Sequence, residues 1–172
     1  MLFVNLVAKL VKILHSGKEP RHIAAGFALG AMIGLMPGMT IQSIVVFCLI
    51  LLLNVNIPAA FFGVALFSAF AFFLDPLFHE LGYYLLTQIK GLIPLWTALY
   101  NMPIAPLTRF NNTVVMGSLV TSLVMFLPIY FGFKRLVLYY RAHWAEKVER
   151  WHVMKVIKGS TLIQNLSKLR FQ

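Results

Sequence analysis

The most constraining feature of this sequence is a run of 53 residues, 22–74, that contains no Asp, Glu, Lys or Arg. A second uncharged run covers residues 110–133. A transmembrane helix crosses the hydrocarbon core with about 20 apolar residues. In addition, 60% of the 172 residues are hydrophobic, against about 45–50% in soluble domains. We therefore predict an all-α integral membrane protein, and the composition excludes disorder for most of the chain.

Two breaks divide the long uncharged run into pieces that are too short to cross a membrane alone. The first break is Met36-Pro37-Gly38-Met39 and the second covers residues 54–58. Proline inside a helix removes a backbone donor and clashes with the preceding turn. The pieces 23–36 and 40–53 each reach about 21 Å, against a hydrocarbon core of about 30 Å. Segment 23–53 is therefore either one long kinked helix or a re-entrant hairpin that returns to its own side.

The distribution of basic residues favours the hairpin. Lys18 and Arg21 precede the first apolar run, and nine Lys and Arg residues follow the last one. By the positive-inside rule both termini face the cytoplasm, which requires an even number of crossings. A re-entrant hairpin at 23–53, with full spans at 58–74 and 113–133, gives two crossings. A kinked single span gives three.

Both ends of the chain are predicted to lie on the membrane surface, on either side of a membrane domain at 22–133. Residues 1–21 place apolar side chains on one helical face and lysines on the other, which predicts an interfacial amphipathic helix. Residues 134–172 carry most of the net charge of +10 and predict a basic, amphipathic cytoplasmic tail. Anionic lipid headgroups are the expected partner of these charges, and nucleic acid is not, because the tail directly follows a transmembrane helix.

Glycines recur at every fourth position within the first apolar run, at Gly26, Gly30, Gly34 and Gly38. On one helix they would form a bare stripe that lets a second backbone approach closely. The stripe therefore predicts close packing of the hairpin against a neighbouring helix. The alternative is a narrow path or a ligand groove beside a thin wall.

Polar side chains in the apolar runs are the remaining candidates for a site. Gln42, Asn54 and Asn56 are expected either to satisfy broken backbone near the hairpin ends or to contact a polar ligand, and Pro58 begins the next span. Asp75 is expected to cap a helix that starts at Pro76. His79 would then share a helical face with Asp75, and the alternative role of this pair is to carry a proton or an ion.

No catalytic, cofactor or metal site is predicted. The sequence His79-Glu80-Leu81-Gly82-Tyr83 lacks the second histidine of a zinc-protease helix. A phosphate-binding glycine loop, a nucleophile elbow and a CxxC pair are also absent from the sequence, and Cys48 is its single cysteine.

Several of these motifs, taken in order, resemble a bacterial membrane family, domain of unknown function 2062. The resemblance covers about residues 10–150 and is carried by Pro20-Arg21, residues 24–30, residues 34–38, Gln42, residues 56–60, Asp75-Pro76 and Leu81-Gly82. Many relatives have Asn-Pro where this chain has Asp75-Pro76. The resemblance implies membrane placement in the bacterial inner membrane but no specific chemistry. It is strongest to a short stand-alone branch, whose members are encoded beside a larger envelope protein.

Two functions from different classes remain open. In the first, the chain is a non-enzymatic accessory or anchor protein for a larger envelope protein, or acts as a homo-oligomer. In the second, it transports or flips an anionic amphiphilic lipid, such as a phospholipid or a polyprenyl phosphate, with possible coupling to protons. Broken helix ends would then supply backbone donors to the phosphate.

Overall fold

The computed structural model describes residues 10, 11, 13, 14 and 17–145, and this part of the chain is helical without a strand. The all-α prediction is confirmed. The chain divides into two compact units, Lys18–Lys134 and a terminal unit of Met1–Gly17 with Arg135–Gln172. The helices of at least eight residues in residues 17–145 are α1 (Pro20–Leu35), α2 (Ile41–Leu52), α3 (Ile57–Tyr83), α4 (Ile93–Tyr100) and α5 (Thr113–His143).

Helix α1 is the buried helix of the Lys18–Lys134 unit. It begins at Pro20, a residue suited to the first helical turn because that turn needs no N–H from it. Eleven of its sixteen residues are buried, and apolar or small residues occupy nearly every face. It ends at Leu35 because Met36 precedes a proline and adopts an extended conformation. Gly38 then takes a positive φ of 58°, which glycine adopts without strain.

Helix α2 begins at a capping box and exposes most of its surface. The Thr40 side chain accepts a hydrogen bond from the Ser43 N–H, and the Ser43 side chain accepts one from the Thr40 N–H. Only three of its twelve residues are buried, although all but Gln42 and Ser43 are apolar. An apolar helix with this exposure requires a covering of lipid or protein.

The chain has returned to the start of α1 when α3 begins. The Asn56 N–H donates to the carbonyl oxygen of His22 at 3.0 Å. Asn56 also caps α3, because its side-chain oxygen accepts the N–H of Ala59 at 2.9 Å. Helix α2 therefore leads the chain back from the end of α1, and α3 starts beside the first turn of α1.

Helix α3 corrects two expectations from the sequence. It does not end at Leu74, where the first span was expected to end, but continues to Tyr83. Asp75 therefore caps no helix, and Pro76 lies in the helix interior. A proline is tolerated there because one lost backbone hydrogen bond is outweighed by packing on both sides of it, with Phe78 and Gly82 buried beyond the proline.

The connection from α3 to α5 is a series of short turns. A π-helix at Tyr84–Gln88 follows α3, and short 3-10 turns precede and follow α4. The Trp96 indole donates to the carbonyl oxygen of Leu85 at 3.1 Å and ties α4 to this π-helix. The last turn ends at Arg109, whose φ of 54° is positive.

Helix α5 runs antiparallel to α3. Thr113 faces Gly82 and, one turn later, Gly117 faces Phe78, so residue numbers rise along one helix and fall along the other. The helix continues to His143, ten residues beyond the expected end of the span at 133.

Within the described residues, two helical segments are long and apolar enough to cross a membrane, Ile57–Gln88 and Thr113–His143. In their most apolar windows only 22% and 28% of the residues are buried, whereas the core helix of a soluble protein would be mostly buried. Two candidate spans were expected, so this coarse prediction is confirmed.

The terminal unit brings parts of both ends of the chain together. The Arg141 guanidinium donates to the carbonyl oxygen of Leu14 at 3.2 Å. Within this unit Ile13, Leu14 and Val137 are buried. The predicted amphipathic helices fall mostly on residues 1–9 and 146–172, which lie outside the described residues.

Candidate functional site

The predicted glycine stripe lies at the contact between α1 and α3. A Cβ atom added to Gly26 would lie within 3.0 Å of the Asn56 carbonyl oxygen, and one on Gly30 would lie still closer to the Ala60 carbonyl oxygen. On Gly34 it would lie 2.7 Å from the Val64 carbonyl oxygen. Facing residues keep a constant separation along the chain, so α1 and α3 run in parallel with their backbones in contact.

The fourth glycine of the stripe has a different role. Gly38 lies beyond the end of α1, and a Cβ atom there would meet nothing within 4 Å. Its place in the chain is explained by its positive φ, which reverses the chain after Pro37. Gly63 of α3 completes the α1–α3 contact instead, because a Cβ atom on it would collide with the Phe27 carbonyl oxygen. The fourfold spacing of the sequence does not reveal Gly63.

A second backbone contact joins α3 to α5. Cβ atoms added to Gly82 and Gly117 would collide with the carbonyl oxygens of Thr113 and Phe78, respectively. Sequence reasoning missed Gly117, although a glycine amid bulky residues near the start of the last span was the available signal. Helix α3 is thus held through glycines on both sides, by α1 in its first half and by α5 in its second.

Beside the turn that ends α1 lies an apolar cavity of about 430 Å³, which we name the hairpin groove. Its walls come from α1, α2, α3 and the turn, and include Met36, Gly38, Ser43, Phe47, Val64 and Ser68. Met39, at its rim, is 90% exposed. The groove is the part of the structure that fits the ligand interpretation of the glycine segment, since it begins where the backbone contact of α1 with α3 ends.

Gln42 links the start of α2 to the turn before α5. Its side-chain amide donates to the carbonyl oxygen of Thr108 at 2.9 Å. The oxygen of the same amide, Oε1, is buried and has no hydrogen-bond partner among the described residues. Gln42 therefore satisfies a backbone carbonyl of the turn before α5 and keeps one buried acceptor available beside it. Asn54 is exposed, and Asn56 is buried in its capping role.

Asp75 and His79 lie on α3, but the structure shows no hydrogen bond or ion pair between these two side chains. The His79 ring nitrogen Nδ1 lies 2.7 Å from the Thr113 hydroxyl, which connects α3 to α5 near Gly82. Asp75 is half-buried one turn earlier, and Glu80 is exposed. In the described part of the chain, no group of three or more His, Cys, Asp or Glu side chains could hold a metal ion.

Charged groups gather where α1 begins. Glu19 pairs with the Arg21 guanidinium, and its carboxylate lies 3.6 Å from the His22 ring nitrogen. Phe27, on the second turn of α1, stacks on Phe133 of α5 with ring centroids 3.8 Å apart. The end of the uncharged part of α5 is thus level with the start of α1.

Comparison with known proteins identifies the family. A family model described as an uncharacterized protein conserved in bacteria (DUF2062) matches residues 6–145. An uncharacterized protein of Treponema pallidum (strain Nichols) is 24% identical over 159 residues, which cover 92% of this chain and 98% of that protein. No solved structure matches the chain. Because the family model covers most of its length, the chain belongs to the DUF2062 family, as its motifs had indicated.

Proposed function

We propose that this chain is a multi-pass protein of the bacterial inner (cytoplasmic) membrane with α3 and α5 as its two full spans. Helix α3 from Ile57 to Leu77 is about 30 Å long at 1.5 Å per residue, the thickness of the hydrocarbon core. The contact of Gly117 with Phe78, at one end, and the stacking of Phe62 and Phe133 around Phe27, at the other, support α5 lying beside this length of α3. The exposed apolar surface of both helices is then covered by lipid.

Segment 23–53 is a re-entrant hairpin in this proposal. Helices α1 and α2 have 16 and 12 residues, about 24 and 18 Å, and both are shorter than the hydrocarbon core. The bond from the Asn56 N–H to the His22 carbonyl supports a return to the side of entry. Pro37 is half-buried and Gly38 is exposed, so this broken backbone requires a further cover of protein, or a water-filled cavity, at membrane depth.

Both termini are cytoplasmic in this proposal. Basic residues cluster at the end where α1 and α3 begin, at Lys18 and Arg21, and follow directly after Phe133, at Lys134. The stacking of Phe27 on Phe133 supports a common side for these residues. The positive-inside rule then assigns that side to the cytoplasm and segment 84–112 to the periplasmic side.

Its function in this proposal is a non-enzymatic accessory role, in which segment 84–112 docks on a larger envelope protein. One observation carries the docking site: Tyr100 and Met102 are 59% and 50% exposed, although they lie between the two spans. Large apolar side chains that are exposed outside the spans indicate a protein contact.

We expect Tyr100→Ala combined with Met102→Ala to abolish recovery of a stoichiometric partner when the tagged protein is purified from membranes in mild detergent. Both side chains are exposed, so the fold should be retained. Leu123→Ala with Leu127→Ala is the matched control, because these leucines are exposed on the span α5 and would face lipid. Equal partner recovery from both variants, or no partner of the wild-type protein, would contradict the docking role.

Movement of an anionic lipid is the second candidate, and the hairpin groove is the observation that favours it. An apolar cavity of this size beside a re-entrant turn could admit part of a lipid. Coupling of this movement to protons through Asp75 and His79 has less support, because the His79 ring forms its hydrogen bond with the Thr113 hydroxyl and not with Asp75.

A further inference from the structure

We propose that the hairpin groove holds the terminal half of one acyl chain of an anionic phospholipid, whose phosphate lies at the basic end of the molecule near Arg21. This proposal rests on the membrane placement proposed above, but not on the docking role. Three observations support it: the direction of the groove, the chemistry of its wall and the charge at the end of α1.

The groove runs along the helices. On α3 its wall includes Val64 and Ser68, and on α2 it includes Ser43 and Phe47, each pair one helical turn apart. A second, small cavity of about 20 Å³ is also lined by Phe47 and Val64, and its wall includes Ala60 of α3. The space is therefore a crevice between α2 and α3 that is parallel to the helix axes, as an acyl chain in a bilayer would be.

The wall of the groove suits hydrocarbon rather than a phosphate. The Ser43 hydroxyl is already used in the capping box, where it donates to the Thr40 carbonyl oxygen at 2.8 Å and accepts the Thr40 N–H at 3.0 Å. Ser68 lies at the exposed rim. The other lining side chains are apolar, so the groove offers no charged or unpaired donor to a headgroup.

Positive charge lies at the proper distance for the phosphate of the same lipid. Arg21 is 64% exposed at its side chain and lies at the start of α1, next to His22, which bonds to Asn56. Glu19 pairs with Arg21 at this end, and Lys18 is a second cation there, so these three residues carry a net charge of +1. The N-termini of α1 and α3 lie side by side there, and their dipoles also favour an anion.

The distance between these two features fits one leaflet. From Asn56 to Val64 and Ser68 is 8 and 12 residues along α3, about 12–18 Å. One leaflet contributes half of the hydrocarbon core, about 15 Å. A phosphate level with Asn56 therefore places the end of its acyl chain at the level of the groove.

The test uses phosphatidylglycerol with a photoactivatable diazirine at the end of one acyl chain, in nanodiscs that contain the full-length protein. We expect cross-links in the wild-type protein to concentrate on residues 33–47 and 64–68. Ser68→Leu should fill the groove and lower this yield about tenfold, because the leucine side chain occupies space that the acyl chain would take. Ala69→Leu is the matched control, because Ala69 is exposed on the same helix and does not line the groove.

Wild-type cross-links spread evenly over the exposed faces of α3 and α5 would overturn the proposal, whether or not Ser68→Leu folds. Equal yields from Ser68→Leu and Ala69→Leu, at equal melting temperatures, would also overturn it. In a charge comparison, the wild-type protein should cross-link the phosphatidylglycerol probe more than a phosphatidylcholine probe, and Lys18→Gln with Arg21→Gln should remove the difference. No preference in the wild type contradicts the headgroup assignment. Partner recovery by Ser68→Leu reports separately on the docking role.

Discussion

Replacing Gly30 with alanine is expected to destabilise the protein more than any exposed substitution, although it adds one methyl group. The new Cβ would lie within 3.0 Å of the carbonyl oxygen of Ala60, a backbone atom that cannot rotate away. Helices α1 and α3 must then separate, at a cost of about 1–3 kcal/mol or more. For a chain of this size we expect the melting temperature in detergent to fall by about 4–10 °C.

The matched control is Gly132→Ala on α5. Gly132 is exposed, and a Cβ atom there would meet nothing within 4 Å. Alanine should therefore leave the melting temperature unchanged or raise it slightly, since glycine inside a helix costs about 0.5–1 kcal/mol relative to alanine. If Gly30→Ala melts at the same temperature as Gly132→Ala, the backbone contact between α1 and α3 is wrong.

The second large effect is expected at the α3–α5 contact. Gly82→Ala and Gly117→Ala each place a Cβ against a backbone carbonyl of the other helix, at Thr113 and Phe78, respectively. Each change should lower the melting temperature about as much as Gly30→Ala. Either change alone separates the same pair of helices. The melting temperature of the double variant should therefore fall by less than the sum of the two single decreases.

Thermal melting of the four proteins in one detergent measures this coupling. Additive losses would mean that Gly82 and Gly117 act at independent contacts, contrary to the crossing described above. A loss of the hydrogen bond between His79 and Thr113 should accompany each single variant, because this bond spans the same contact.

The sequence predicted the helical class and the location of the breaks because both depend on local chemistry. Charges, prolines and glycines mark the ends of α1 and α2 directly in the sequence. The same local signals misplaced the end of the first span, because Asp75-Pro76 is typical of a helix start. Packing beyond the proline, at Phe78 and Gly82, keeps α3 helical there, and no local pattern reveals such a contact.

The candidate site was only partly predictable for the same reason. The stripe of Gly26, Gly30 and Gly34 indicated a close helix contact but not the partner helix. Gly63 and Gly117 carry no periodic signal, and the hairpin groove depends on how α2 lies beside α3. Gln42 could be singled out as a rare amide in an apolar run, but its contact with Thr108 joins positions 66 residues apart.

The central claim is that segment 23–53 enters the membrane and returns. It can be tested with single cysteines, because Cys48 is the only native one and can first be replaced by serine. Three single-cysteine variants are then compared. Lys18→Cys reports on the proposed cytoplasmic side, Met39→Cys on the hairpin turn and Asn101→Cys on the proposed periplasmic side. Met39 is 90% exposed in the fold, so protein does not shield it from the reagent.

The measurement is labelling by a membrane-impermeant maleimide in spheroplasts and in inverted membrane vesicles. We predict that Lys18→Cys is labelled only in inverted vesicles and Asn101→Cys only in spheroplasts. Met39→Cys should be labelled in neither, but should react fully after detergent is added. Labelling of Met39→Cys in spheroplasts to the same extent as Asn101→Cys would mean that the segment reaches the opposite side, and would contradict the re-entrant hairpin.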